Sequence, residues 1–128
     1  MTAEHPEPQI REDPQLRVVE NTDLDRFELW KGQQFVGFEG FRRHGDATVE
    51  LLHTIMDEQF GRQGYARTLV TLLLRRFREE EVLVRPTCPY VQGYLHRFPQ
   101  YQDVLAPGCE LPPAVPGKRR RRAFHRAP

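Results

Sequence analysis

The sequence predicts a mixed α/β fold, one sheet in the order β-β-β-β-α-β-α, on three observations. Apolar and polar residues alternate with period two through residues 16–56, the period becomes helical from Gly64, and a short apolar run at residues 81–85 returns after that helix. Period two is the signature of a half-buried strand, and a strand that returns after a helix lies parallel to the strand before it, by a right-handed crossover.

Each element has its own signal. Residues 16–20 and 25–31 alternate as strands, and Lys31-Gly32 turns the chain into residues 34–43, where Val36, Phe38 and Gly40 oppose Phe35, Gly37 and Phe41. His44-Gly45-Asp46 makes the next turn. Residues 47–56 then form a long central strand, with Val49, Leu51, His53 and Ile55 on one face and Glu50, Leu52, Thr54 and Met56 on the other. Ala66, Leu69, Val70, Leu73 and Phe77 recur at helical spacing, while Arg67, Thr71, Arg75 and Arg78 form the solvated side of an amphipathic helix that runs to about Glu80. After the short strand, Thr87-Cys88-Pro89 starts a second helix, with Thr87 or Cys88 as its cap and Pro89 in the first turn, through Tyr94 and His96.

With 128 residues, 38% of them apolar and 29% charged, the chain has one domain's worth of core and no apolar run long enough for a membrane span. The globular part is expected at residues 16–105, between a disordered acidic, proline-rich tail at 1–15 and a disordered proline- and arginine-rich tail at 106–128. The net charge of +1 conceals opposite signs at the two ends and a nearly neutral middle, which argues against a nucleic-acid-binding globular domain. The start lacks the features of a secretion signal and the two cysteines make no disulfide framework, so a cytoplasmic location is expected, with no membrane partner.

Two places could carry chemistry. The segment DEQFGRQGYA, residues 57–66, joins the long strand to the amphipathic helix through Gly61 and Gly64, and main-chain N–H groups at a helix N-terminus can hold a phosphate. The plainer reading is a simple turn; it is neither a P-loop nor a dinucleotide fingerprint. The second place is PTCPY, residues 86–90. A cysteine at a helix start can be an activated nucleophile, and Tyr90 and Tyr94, one turn apart, could donate protons; as the plainer alternative, Cys88 is a small buried apolar residue and the tyrosines pack the core. Both places lie at the carboxyl ends of adjacent parallel strands, where open sheets bind ligands.

LLHTIMDEQFGRQGYARTLV followed by VLVRPTCPYVQGYLHRFPQYQDVL resembles the small single-domain YjdJ-type branch of the GNAT N-acetyltransferase superfamily, over residues 17–105. The resemblance rests on the His53-Thr54 pair, the Gly64-x-Ala66 helix start, the Pro-x-Cys-Pro-Tyr element and the close at Phe98-Pro99-Gln100-Tyr101. It implies a GNAT-like mixed sheet whose strands splay at an acetyl-CoA cleft, and acetyl-CoA as co-substrate with no metal. Pantetheine would pair with His53, Thr54, Ile55 and Met56 as an added strand, beside Cys88. The pyrophosphate would meet Gly61, Arg62, Gln63, Gly64, Tyr65, Ala66 and Arg67. The chain departs from the superfamily pattern at Gly61, where Arg or Gln is preferred, at Arg62, where many relatives have Gly, and at Phe98, where relatives often have His.

The implied function is acetyl transfer to an amine: a protein lysine, a polyamine or another small amine. Direct transfer in a ternary complex is the superfamily's usual route, with a main-chain N–H near Ile55 or Met56 steadying the oxyanion and Cys88, Tyr90 or Tyr94 supplying a proton. The alternative route passes through an acetyl group on Cys88. His53 and Glu50 are candidate bases, placed on opposite faces of their strand. The rival function is a non-enzymatic module that binds CoA or a partner protein. The Lys118–Arg122 run could contact nucleic acid or an acidic partner.

Overall fold

The computed structural model describes residues 5–114. Five strands form one sheet in chain order: β1 (Leu16–Asn21), β2 (Arg26–Lys31), β3 (Gln34–Arg43), β4 (Thr48–Met56) and β5 (Leu83–Pro86). The first four pair antiparallel and β5 joins β4 parallel, as the crossover through helix α1 (Tyr65–Glu80) requires. Helix α2 (Pro89–Arg97) follows β5 directly. The order β-β-β-β-α-β-α is therefore the observed one, with two 3₁₀ turns, residues 58–60 and 99–104, that the periodicity did not reveal.

The core lies on one face of the sheet. Phe27, Leu29, Phe41, Val49, Leu51 and Val84 meet Leu69, Leu73 and Phe77 of α1 and Val91, Tyr94 and Leu95 of α2, all buried. The opposite face carries Trp30, Phe35 and Phe38 in a chain of ring contacts, with the Arg26 guanidinium 4.5 Å from the Phe38 centroid. Both helices thus stand on the same side.

A bulge in β4 sets what that side presents. Gly40 of β3 pairs with His53 but Phe41 pairs with Leu51, so Leu52 is the extra residue and the alternation of β4 slips by one. Strict alternation would send Leu51 and His53 to one face. Instead Leu51 and Thr54 share the helix-covered face, and His53 turns to the other, its ring over Gly40. A Cβ on Gly40 would come within 2.7 Å of His53 Nε2, so the close approach depends on glycine.

Residues 5–15, expected to be disordered, lie along α1 instead. The Arg11 N–H donates to Thr68 Oγ1 at 3.0 Å, Arg67 Nη1 donates to Gln9 O, and Tyr101 donates its hydroxyl to Glu7 at 2.8 Å. The composition of that segment is polar and proline-rich, but hydrogen-bond partners on α1 and the second 3₁₀ turn fix it in place. Of the C-terminal tail only residues 106–114 are described, and Ala106 is buried, its N–H on Val84 O. The arginine run lies outside the described residues.

Candidate active site

β4 and β5 separate after four paired positions. The last pair is Leu51 with Pro86, which has no N–H to continue the ladder, and Cys88 N–H closes it by donating to Leu51 O at 2.7 Å. Beyond that point β4 keeps β3 on one side and loses its neighbour on the other. Asp57 N–H bonds Val36 O, so by the alternation of main-chain direction Thr54 and Met56 turn their N–H and C=O groups toward the open side. An unpaired strand edge of this kind takes an extended amide-bearing ligand.

Three side chains meet beside that edge. Thr54 donates its hydroxyl to Glu39 Oε1 on β3, its direct register partner, and Thr54 Oγ1 stands 3.2 Å from Cys88 Sγ at the start of α2. Because the only hydroxyl proton of Thr54 goes to Glu39, the thiol donates to Thr54. Glu39 is fully buried, and its Oε2 has no partner among the described residues. Burial raises the Glu39 carboxyl to about 8, against the hydrogen bond from Thr54 and the polarity of the nearby thiol, which favour its charged form. Burial, and then the neighbouring Glu39 charge, push the Cys88 thiol up to about 11. A thiol so raised is protonated at neutral pH, a proton donor rather than an activated nucleophile.

The other half of the site is the turn into α1. Gly64 caps the helix with φ 85°, a left-handed conformation suited to glycine, and no acidic residue stands in the first turn. The first-turn N–H groups have no intrahelical acceptor and face outward with the positive end of the helix dipole. Gly61 is extended, φ −67° and ψ 148°, and needs no glycine; the left-handed residue is Arg62, at φ 60°. Holding a residue that carries a Cβ there costs about 1–2 kcal/mol, so Arg62→Gly is expected to stabilise the fold by about 0.5 kcal/mol after the extra chain entropy of glycine, as read from urea unfolding. Arg11 joins Arg62 and Arg67 as a cation near the turn, with Nη1 on Gln63 O and the guanidinium 4.6 Å from the Tyr65 ring. Between the helices a cavity of about 250 Å³ is lined by Arg67, Pro89, Tyr90, Gly93, Tyr94, Arg97 and Phe98. It connects cations with the cleft side of α2.

A family model for GCN5-related N-acetyl-transferases matches residues 26–104, more than half of the chain and all of the elements that build this cleft. The chain belongs to the GCN5-related N-acetyltransferase family. The membership places it among the acyltransferases. Its fold is similar to the solution structure of a GCN5-like candidate N-acetyltransferase from Staphylococcus aureus, with a TM-score of 0.55 and 18% identity over 72% of this chain and 89% of that one. Among curated proteins none is significantly similar in sequence.

For an acetyltransferase of this family the predicted site residues divide. Thr54 and Cys88 meet at the splay, Met56 follows on the same edge of β4, and Gly64, Tyr65, Ala66 and Arg67 form the helix start; Tyr65 itself is buried against Phe60, its ring 5.3 Å away and edge-on. Ile55 is half exposed on the far face and faces β3 with its main chain. Tyr90, 41% exposed, lies at the cavity, its hydroxyl pushed up mainly by desolvation. Tyr94 is committed elsewhere: its hydroxyl bonds Thr71 Oγ1 on α1 at 2.6 Å, and burial raises its ionisation. His53 stands across the sheet from Cys88. Glu50, expected opposite His53, shares its face because of the Leu52 bulge; hydrogen bonds from Thr87 and His44 hold its carboxyl below the ordinary range. A group so stabilised as an anion is a weak base.

Glu39 is the residue that sequence reasoning missed. It alternates within β3 like any polar strand residue, and only the register with Thr54 shows that it points into the core. The one available signal was a carboxylate in line with the apolar Phe41 and Gly37 along β3.

Proposed function

We propose that the protein is an acetyl-CoA-dependent N-acetyltransferase that transfers the acetyl group to an amine directly in a ternary complex. The open edge of β4 beside a protonated Cys88 supports this reading most strongly. Pantetheine amides would pair with the main chain of Thr54 and Met56, and the pyrophosphate would lie at the first turn of α1, near Arg62, Arg67 and Arg11. The Met56 N–H, pointing to the open side, would receive the oxyanion of the tetrahedral intermediate. As the carbon–sulfur bond breaks, its electron pair goes to sulfur, and the Cys88 thiol supplies the proton that the thiolate takes up. Direct transfer is favoured over an acetyl-cysteine because the thiol is held protonated.

The acceptor is an amine arriving neutral: a protein lysine, a polyamine or another small amine. The tight β1–β2 connection leaves no helices over the cleft among the described residues, which suits an extended or exposed acceptor and fits the small YjdJ-type branch. No helix among the described residues is long and apolar enough to cross a membrane, and a cytoplasmic location is consistent with the family's substrates.

Thiol release from acetyl-CoA on addition of spermidine or a lysine-containing peptide tests the proposal. Release dependent on the amine is expected; binding without release would leave a CoA-binding module. The anion turn has its own test. Arg67→Ala is expected to weaken acetyl-CoA binding about fivefold to tenfold, about 1–1.4 kcal/mol, with kcat nearly unchanged, as read by calorimetry and steady-state kinetics.

A further inference from the structure

We propose that Glu39 is the proton reserve of this site, refilling Cys88 through Thr54 after the thiol has protonated the departing CoA thiolate. The proposal rests on the reading above and adds to it a residue that acts from behind the cleft. Its basis is geometric. Glu39 Oε1, Thr54 Oγ1 and Cys88 Sγ form one continuous hydrogen-bonded path, from β3 through β4 to the start of α2, with Glu39 fully buried at its inner end. A carboxyl group in an apolar core is costly unless its oxygens are hydrogen-bonded, and Oε2 is left without a partner among the described residues.

The surroundings isolate the pair from other titratable groups. On β2 the register partner of Glu39 is Phe27, and Leu29 follows on the same face; on β4 the neighbours are Thr54 and Met56. The buried residues of α1 include a single titratable group, Tyr65, held against Phe60 and Arg11. On α2 the facing groups are Cys88 and, beyond it, Tyr90, on whose hydroxyl the Glu39 charge acts weakly. No arginine, lysine or histidine among the described residues forms an ion pair with Glu39.

The step balances in protons. The CoA thiolate takes the Cys88 proton; the Thr54 hydroxyl, which donates to Glu39 at rest, then turns to give its proton to the Cys88 sulfur while its oxygen takes the Glu39 proton, leaving a carboxylate. The proton lost by the acceptor nitrogen goes to solvent, and Glu39 recovers one from solvent along the same path before the next turnover. The raised carboxyl keeps its proton at neutral pH, so that proton is available to pass to the thiolate. Glu39 is thus a positioning residue, acting through two others.

The test is the pH dependence of kcat for the wild type, Glu39→Gln, Thr54→Val and Thr54→Ser, with thiol release as readout. In the wild type kcat is expected to fall above about pH 8, approaching tenfold per pH unit. Glu39→Gln, an isostere without the acid, is expected to lower kcat about tenfold and remove that limb, with KM for acetyl-CoA unchanged. Thr54→Val should do the same and Thr54→Ser should restore the limb. An unaltered limb in Glu39→Gln or in Thr54→Val overturns the proposal. A second readout needs no turnover: in a Cys109→Ala background, thiolate absorbance should show Cys88 ionising at lower pH once Glu39→Gln removes the neighbouring charge. A Cys88 titration that Glu39→Gln leaves unmoved overturns the link between the two groups even where transfer proceeds. A wild type that binds acetyl-CoA but releases no thiol, with that titration shifted, overturns the underlying reading and the catalytic role with it.

Discussion

Replacing Cys88 by alanine is expected to lower kcat about a hundredfold, the lower end of what a positioned proton donor contributes, with KM for acetyl-CoA nearly unchanged. The thiol makes no side-chain cap for α2, and the Cys88 N–H bond to Leu51 O is a main-chain contact that alanine keeps. The fold should therefore survive, and the loss should appear in kcat rather than in binding. Cys88→Ser is expected to recover part of the rate, since a hydroxyl can pass a proton along the same path. The acetyl-cysteine route predicts a different pattern: the wild type would gain an acetyl group when incubated with acetyl-CoA alone, and intact-mass measurement would show it. Direct transfer predicts an unchanged mass.

The largest effect on stability is expected at Phe27. Its side chain is fully buried, with the Phe41 ring 4.5 Å away and the Phe77 ring of α1 5.5 Å away and edge-on. Phe27→Ala removes the surface that seats α1 on the sheet and should cost about 3–5 kcal/mol, a large share of the about 5–15 kcal/mol that holds a domain folded. Because α1 carries the anion turn, acetyl-CoA affinity should fall with it. Urea unfolding measures the cost, and Val19→Ala, at a 39% exposed position of β1, should stay within about 0.5 kcal/mol. A loss below about 1 kcal/mol for Phe27→Ala would mean that the aromatic cluster is not what holds the helix.

The order of the elements was legible because periodicity and turn residues agree along this chain. Gly32 and Gly45 have positive φ at the hairpin turns, and Gly64 does at the start of α1, where period two gives way to helical spacing. The site was legible only in part. Local sequence pointed to Thr54, Met56, Cys88 and the Gly64–Arg67 turn as candidates, whereas the sides of His53, Glu50 and Glu39 depend on which residue of β4 bulges, and that is set by pairing with β3. Alternation assumes an unbroken ladder, so one extra residue at Leu52 exchanged His53 for Thr54 at the cleft. The N-terminal segment escaped for another reason: its order comes from partners some sixty to ninety residues away, Thr68 and Tyr101, which composition cannot report.

The central claim, that the open edge of β4 and the first turn of α1 receive acetyl-CoA, is tested most directly by following backbone amide resonances during titration with acetyl-CoA. Saturable shifts at Thr54, Met56, Gly64, Ala66, Arg67 and Cys88, with His53 and Glu50 little affected, are predicted. Shifts confined to the 118–122 arginine run, or none at millimolar ligand, would contradict it.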